Sequence, residues 1–242
     1  IGYKELNEAP IDWDRLDAGL FGKDATLQKY ELRPHQEKAV SSVHEHFKTA
    51  NRGKLIMACG TGKTFTALKI AEKETEDKEK PFILFLAPSI ALVNQTLKEW
   101  CAQSTNPIHG ICICSDPKVS QKTSEEDELG TSIVDLALPA STSNDEIEEQ
   151  LYHAKKLQEK DGGMIVVFST YQSIEVISQI QKRINNNDFF GQKTNEEPFI
   201  FDICICDEAH RTTGITRKGE ESSSFVKVHD DDFLETKKRL YM

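Results

Sequence analysis

No stretch of this chain holds the roughly 20 consecutive apolar residues that a bilayer-crossing helix takes, and no basic-then-apolar leader opens it. A strong positive charge is also lacking. The net charge is −10, which at first argues against nucleic acid as a partner. The imbalance is local, however. Residues 116–161 hold 12 acids against 5 lysines, and the rest of the chain carries only −3, so a near-neutral body can still present a basic groove. Six cysteines in 242 residues are too few for a disulfide framework, so a reducing cytoplasm is the expected compartment. No fixed-period repeat is present. What remains is 38% hydrophobic and 29% charged, the balance of a globular protein long enough to bury an ample core. The first residue is Ile and the last, Met242, follows a strand-like run, as expected of a piece of a longer protein.

Along the chain, strand-like runs alternate with helical patterns. Residues 1–31 are mixed and polar and read as a lead-in. Leu32-Arg33-Pro34-His35-Gln36 opens a helix, with Pro34 in its first turn, and Gly53 is expected to end it. Lys54–Ala58 reads as a short strand before a glycine-rich turn, and Thr64–Glu74 as a helix. Phe82–Ala87 is a continuous apolar run, the pattern of a strand covered on both faces. Helix Ile90–Cys101 and strand Ile111–Cys114 follow. Residues 115–161 break the rhythm. They are rich in Ser, Thr, Asp and Glu, and read as an acidic insertion, a solvated surface loop in which Asn144–Glu159 can form one helix. Met164–Phe168 resumes the strand pattern, Tyr171–Arg183 the helix, Phe199–Cys206 a strand, and Arg239–Met242 another. Such alternation predicts an α/β fold, a mostly parallel central sheet with helices on both faces. Two Cys-x-Cys pairs, Cys112/Cys114 and Cys204/Cys206, lie in strand-like runs. Core packing is their expected role, and a shared zinc site is the alternative. His35, His44, His46, His109, His153 and His229 show no ligand spacing.

Two motifs carry chemistry. Cys59-Gly60-Thr61-Gly62-Lys63-Thr64 sits between a strand and a helix, the context of a phosphate-binding loop. Glycines there let backbone N–H groups approach phosphate oxygens, and the helix adds its positive end. Lys63 would reach the β- and γ-phosphates, and the Thr64 hydroxyl would ligate Mg²⁺. The general pattern has Gly at the position of Met57. The second motif, Asp207-Glu208-Ala209-His210, follows a strand directly. A carboxylate at the C-terminal end of such a strand sits beside the phosphate loop. Asp207 would hold Mg²⁺, and Glu208 would orient and deprotonate the attacking water.

Together these motifs resemble motifs I and II of a superfamily 2 helicase or translocase, whose version of the loop relaxes the Met57 position. The resemblance covers roughly residues 30–242 and implies a RecA-like ATP-binding domain over residues 32–242, the first of two. Three further stretches fit in the same order. Leu32–Gln36 resembles the segment whose Gln reads adenine, which makes Gln36 the candidate base contact. Ala87-Pro88-Ser89 through Gln95 resembles motif Ia, without its usual Arg, and Ser169-Thr170-Tyr171-Gln172 resembles motif Ib. Pro88, Ser89, Ser169, Thr170 and Tyr171 are thereby candidate nucleic-acid backbone contacts, through hydroxyls and helix-start amides. By the same resemblance His210 couples the acid pair to motif III, a Thr-Ala-Thr-Pro expected directly after Met242.

A closer resemblance joins Phe168–Ile174, Cys206–Gly214, Phe225–Asp230 and Lys238–Met242 to the helicase part of single-chain Type ISP restriction-modification enzymes. It implies ATP and Mg²⁺ as cofactors and double-stranded DNA as partner. It also implies a second RecA-like domain, a nuclease and a methyltransferase in the same full-length chain. An isolated first domain, lacking the arginine fingers of the second, is expected to bind Mg·ATP weakly and hydrolyse it poorly. An RNA or DNA-repair helicase of the same superfamily is the alternative enzyme, and a non-catalytic nucleotide-gated binding module the alternative of another class.

Overall fold

The computed structural model describes residues 29–114, 140–186, 198–212 and 224–242. The lead-in up to residue 28, the first part of the acidic insertion, and two shorter stretches lie outside them. Among the described residues, six parallel strands form one sheet: β1 (Arg52–Lys54), β2 (Phe82–Ala87), β3 (Ile108–Ile113), β4 (Met164–Thr170), β5 (Ile203–Cys206) and β6 (Arg239–Tyr241). Their order across the sheet is β1-β6-β5-β2-β4-β3. The helices are α1 (Pro34–His46), α2 (Lys63–Glu74), α3 (Ile90–Gln103), α4 (Asn144–Asp161), α5 (Ile174–Asn185) and the single turn α6 (Ser224–Lys227).

Chain direction dictates which helix covers which face. From β1 to β2 to β3 the chain steps one way across the sheet, and from β3 through β4 and β5 to β6 it steps back. Right-handed crossovers put the connections of the two passes on opposite faces. The first-pass helices α2 and α3, joined by α1 from ahead of β1, share a core with Ile83, Phe85, Val166, Phe168, Ile203 and Leu240. The second-pass helices α4 and α5 share another with Leu84, Leu86, Ile165, Val167, Cys204 and Cys206. Adjacent residues of β2, β4 and β5 thus serve different cores, because side chains alternate across the sheet. This is also why β2 and β4 are apolar and buried at every position. The expected α/β architecture is the one observed.

The alternation settles the cysteines. Cys112 and Cys114 pack into the first core and Cys204 and Cys206 into the second. The sheet separates the two pairs, and no metal-holding cluster of His, Cys, Asp or Glu occurs among the described residues. Burial pushes the Cys114 thiol up to about 12, and its neighbour Cys112 further, as expected of inert core thiols.

Three boundaries differ from the sequence reading. The first strand is Arg52–Lys54 rather than Lys54–Ala58, and residues 55–58 run without ladder pairing into the loop, apart from Leu55 N–H donating to the Tyr241 carbonyl at 2.8 Å. Gly53 lies inside that strand rather than ending α1, where a Cβ would stand 3.3 Å from the His46 ring and 3.4 Å from that of Phe47. The latter half of the acidic insertion is no solvated loop. Ile147, Leu151 and Ala154 recur at helical spacing on α4 and are buried in the second core. No helix among the described residues is long and apolar enough to cross a membrane.

Candidate nucleotide site

Parallel strands bring their C-terminal ends to one edge of the sheet, and the site assembles there. Leaving β1, the chain turns through Gly60 at φ 73° and Gly62 at φ 82° before α2 starts at Lys63. Both angles lie in the left-handed region that favours glycine. The two glycines are constrained differently. A Cβ on Gly60 would meet nothing within 4 Å, whereas one on Gly62 would stand 2.5 Å from Gln36 Nε2. The loop is thus open on its outer side and closed on the side of α1.

Gln36 does the closing. Its Oε1 accepts from Arg33 N–H at 2.9 Å, and its Nε2 faces the carbonyls of Thr61 and Gly62 at 3.4 and 3.3 Å. His35 Nε2 donates to the same Thr61 carbonyl at 3.1 Å. The candidate adenine contact is therefore beside the phosphate loop, with its amide engaged by the loop itself. From beneath, Trp100 of α3 donates its indole N–H to the Thr64 carbonyl at 3.0 Å. The Thr66 and Thr61 hydroxyls bond the Gly62 and Ala58 carbonyls. Cys59 is exposed on the loop. Trp100 and His35 were not singled out from sequence, since an apolar helix position and a lone His give no sign of a role in holding a loop.

The acid pair comes from the other end of the sequence and meets this loop. Asp207 continues β5, its N–H donating to the Leu86 carbonyl at 2.8 Å. Glu208 follows at φ 51°, the one non-glycine among the described residues with positive φ, a strained backbone of the kind that gathers at functional sites. Its Oε1 takes a 2.8 Å bond from Lys63 Nζ across 145 residues of sequence, and its Oε2 lies 3.2 Å from His210 Nδ1. The bond from Glu208 outweighs the cost of burial and holds the Lys63 ammonium above its ordinary range, with the Asp207 charge adding to it. Asp207 shifts up instead. Burial dominates, the nearby Glu208 charge adds to it, and Lys63 only partly offsets them. Lys63, Asp207, Glu208 and His210 are thus brought together as a single cationic-acidic cluster under the loop.

The five candidate nucleic-acid contacts are placed differently. Pro88, Ser169, Thr170 and Tyr171 are buried. The Ser169 hydroxyl donates to the Ile113 carbonyl at 2.5 Å, Thr170 Oγ1 lies 3.4 Å from Ser173 Oγ, and Tyr171 Oη donates to the Asp207 carbonyl at 2.8 Å. The expected hydroxyl contacts from these three are already satisfied inside the protein. Of the five, Ser89 is the one partly open. Its Oγ caps α3 by accepting from Leu92 N–H at 3.4 Å.

Residues 29–241 match the family described as Type III restriction enzyme, res subunit, or ResIII. The chain belongs to the ResIII family. Over its whole length this ResIII domain also resembles the structure of the ATP-dependent Type ISP restriction-modification enzyme LlaBIII bound to DNA, at 36% identity and a TM-score of 0.73. Over 88% of its length it resembles a nuclease-deletion mutant of the Type ISP enzyme LlaGI in complex with a DNA substrate mimic, at 37% identity and a TM-score of 0.65. A 95-residue stretch, 39% of the chain, is 43% identical to the Type I restriction enzyme EcoAI endonuclease subunit of Escherichia coli. The chain spans 14% and 17% of the two Type ISP chains and 11% of the Escherichia coli subunit. Family and fold are those of a helicase-like ResIII domain on a parallel α/β sheet, similar to part of the Type ISP restriction-modification enzymes.

Proposed function

We propose that this ResIII domain is the nucleotide-hydrolysing first half of an ATP-driven motor that moves double-stranded DNA in a Type I-like single-chain restriction-modification enzyme. The observation that carries the reading is the 2.8 Å bond between Lys63 and Glu208, which joins the loop and the acid pair into one site. The residues present suit Mg·ATP. Gly60 leaves open space over the loop amides, α2 points its positive N-terminus there, and Thr64 with Asp207 offers the hard oxygens that Mg²⁺ takes.

Bound Mg·ATP would supply the phosphoryl group and the metal charge. The chain supplies the rest. Lys63 offers its ammonium to phosphate oxygens, and leaving Glu208 for them uncovers the carboxylate. Thr64 and Asp207 would hold the metal, and Glu208 takes the proton of the attacking water. Gln36, once turned from the loop carbonyls, is placed to read the base. His210, against Glu208, links the acid pair to whatever follows β6. Of the two Type ISP structures, one is bound to DNA and the other to a DNA substrate mimic, which supports double-stranded DNA as the partner here. A nuclease, a methyltransferase and a second RecA-like domain in the same full-length chain are part of the proposal.

The test is steady-state ATP hydrolysis by the full-length protein with duplex DNA, with RNA and with neither. Duplex DNA is expected to stimulate and RNA not. Glu208→Gln is expected to lower the stimulated rate by about 10²–10⁴-fold while ATP still binds. An undiminished rate in Glu208→Gln would overturn Glu208 as the base, and a parent protein without DNA-stimulated hydrolysis would leave a nucleotide-gated binding module. The isolated domain is expected to hydrolyse ATP poorly, for want of an arginine finger in trans.

A further inference from the structure

Tyr171 is the first residue past β4, and its ring points into the protein. Side-chain alternation puts Ile165 and Val167 in the second core, and Tyr171 continues that series. Since β2 lies between β4 and β5, the ring passes beneath the end of β2. Its hydroxyl reaches β5, where it donates to the Asp207 carbonyl at 2.8 Å. The residue is fully buried. Burial first, then the nearby Cys206, Cys204 and Asp207, push the phenol far above its ordinary range, so the hydroxyl keeps its proton and remains a donor.

The carbonyl it holds belongs to the peptide that joins Asp207 to Glu208. The N–H of the same peptide turns back to the Asp207 carboxylate. On either side, Asp207 N–H donates to the Leu86 carbonyl at 2.8 Å and Ala209 N–H to the Met242 carbonyl at 2.7 Å. Between them Glu208 sits at φ 51°. A non-glycine residue stays there only when its surroundings over-determine it. These bonds do so, and Tyr171 contributes the one made by a side chain from another strand's end.

We infer that Tyr171 is a positioning residue for hydrolysis, whose hydroxyl fixes the plane of the Asp207–Glu208 peptide and with it the aim of the Glu208 carboxylate. Fully buried, it acts through that peptide. The inference rests on the hydrolytic reading of Glu208, and the two are tested side by side.

In the full-length protein with duplex DNA, Tyr171→Phe is expected to lower kcat about tenfold, the scale of losing a group that orients a catalytic ligand. ATP KM and DNA affinity should stay within about twofold, the split of a group acting only on the chemical step. Replacing Tyr171 with 4-aminophenylalanine keeps ring and donor and should restore most of kcat. A Phe variant at the parent kcat, or a loss that the amino analogue fails to restore, overturns the inference. So does a loss that appears in KM or DNA affinity instead. Phe keeps the ring in its apolar bed, so a folded variant is expected. Should it not fold, 4-fluorophenylalanine, which fills the hydroxyl's space without a donor, takes its place and is read by the same outcomes. If Glu208→Gln is inactive and Tyr171→Phe is not impaired, this inference alone fails. If Glu208→Gln keeps the parent rate, the hydrolytic reading fails first.

Discussion

Asp207 is held where a carboxylate is uncomfortable. Burial raises its pKa against the pull of Lys63, so the folded state binds the proton more tightly than the unfolded chain does. By linkage, that favours folding at acid pH, below the ordinary carboxylate value, and the advantage is lost as pH rises through the raised pKa. At neutral pH the ionised side chain therefore costs stability that an uncharged isostere does not. Asp207→Asn is expected to melt higher than the parent at neutral pH without nucleotide, with the gap closing as pH falls. Hydrolysis should be lost. Melting curves across pH, beside ATPase assays, check both halves, and a variant that melts lower throughout would show that the Lys63 attraction dominates instead. Such a trade of stability for activity is common at functional sites. The identity of Asp207 was legible in the sequence because an acid pair directly after an apolar run is distinctive. Its raised pKa was not, because burial depends on what β2 and β6 bring alongside.

At the scale of elements, α2 and α3 form the floor of the phosphate loop. Trp100 is fully buried on α3. Its ring meets Phe85 and Phe168 edge-on at centroid distances of 5.3 and 5.6 Å, and its indole N–H holds the Thr64 carbonyl. Trp100→Ala should cost about 3–5 kcal/mol of stability, the usual range for emptying so large a core position, and loosen the first turn of α2. Chemical denaturation and ATP affinity read the two effects, and an affinity unchanged in a destabilised protein would separate the floor from the site. Little in the sequence signals this support, yet α2, α3 and α4 were readable within a residue or two, whereas α1 stops at His46, well short of the expected Gly53. α2 and α4 follow from apolar spacing, and β2 and β4 from unbroken apolar runs. The misplaced first strand has a physical cause. Leu55, Ile56 and Met57 look like a strand by composition, but only Arg52–Lys54 find ladder partners in β6. The exposed Ile56 shows that apolar character alone does not decide pairing.

For the molecule as a whole, the sheet is closed by its latest segment. β6 lies between β5 and β1, and among the described residues β1 pairs with no other strand. Arg239 anchors it with a fully buried side chain that donates to Asp231 and to the Leu234 carbonyl. A protein ending at Lys238 is expected to keep hydrogen-exchange protection in β2 and β4 and to lose it in Arg52–Leu55. Retained protection there would mean that β1 holds its place without β6. The overall α/β order was plain from the alternation of runs. The insertion of the last strand beside the first was not, because strand order is set by crossovers that no local pattern encodes.

That arrangement bears on how the protein is made. A ribosome delivers the glycine-rich loop early, but the strand preceding that loop has nothing to pair with until residues 239–241 clear the exit tunnel. The nascent polypeptide therefore carries an unfinished sheet edge at β5 from the time Cys206 is made until Arg239–Tyr241 follow, a surface open to mispairing and to chaperones. Competence to bind nucleotide arrives late and all at once.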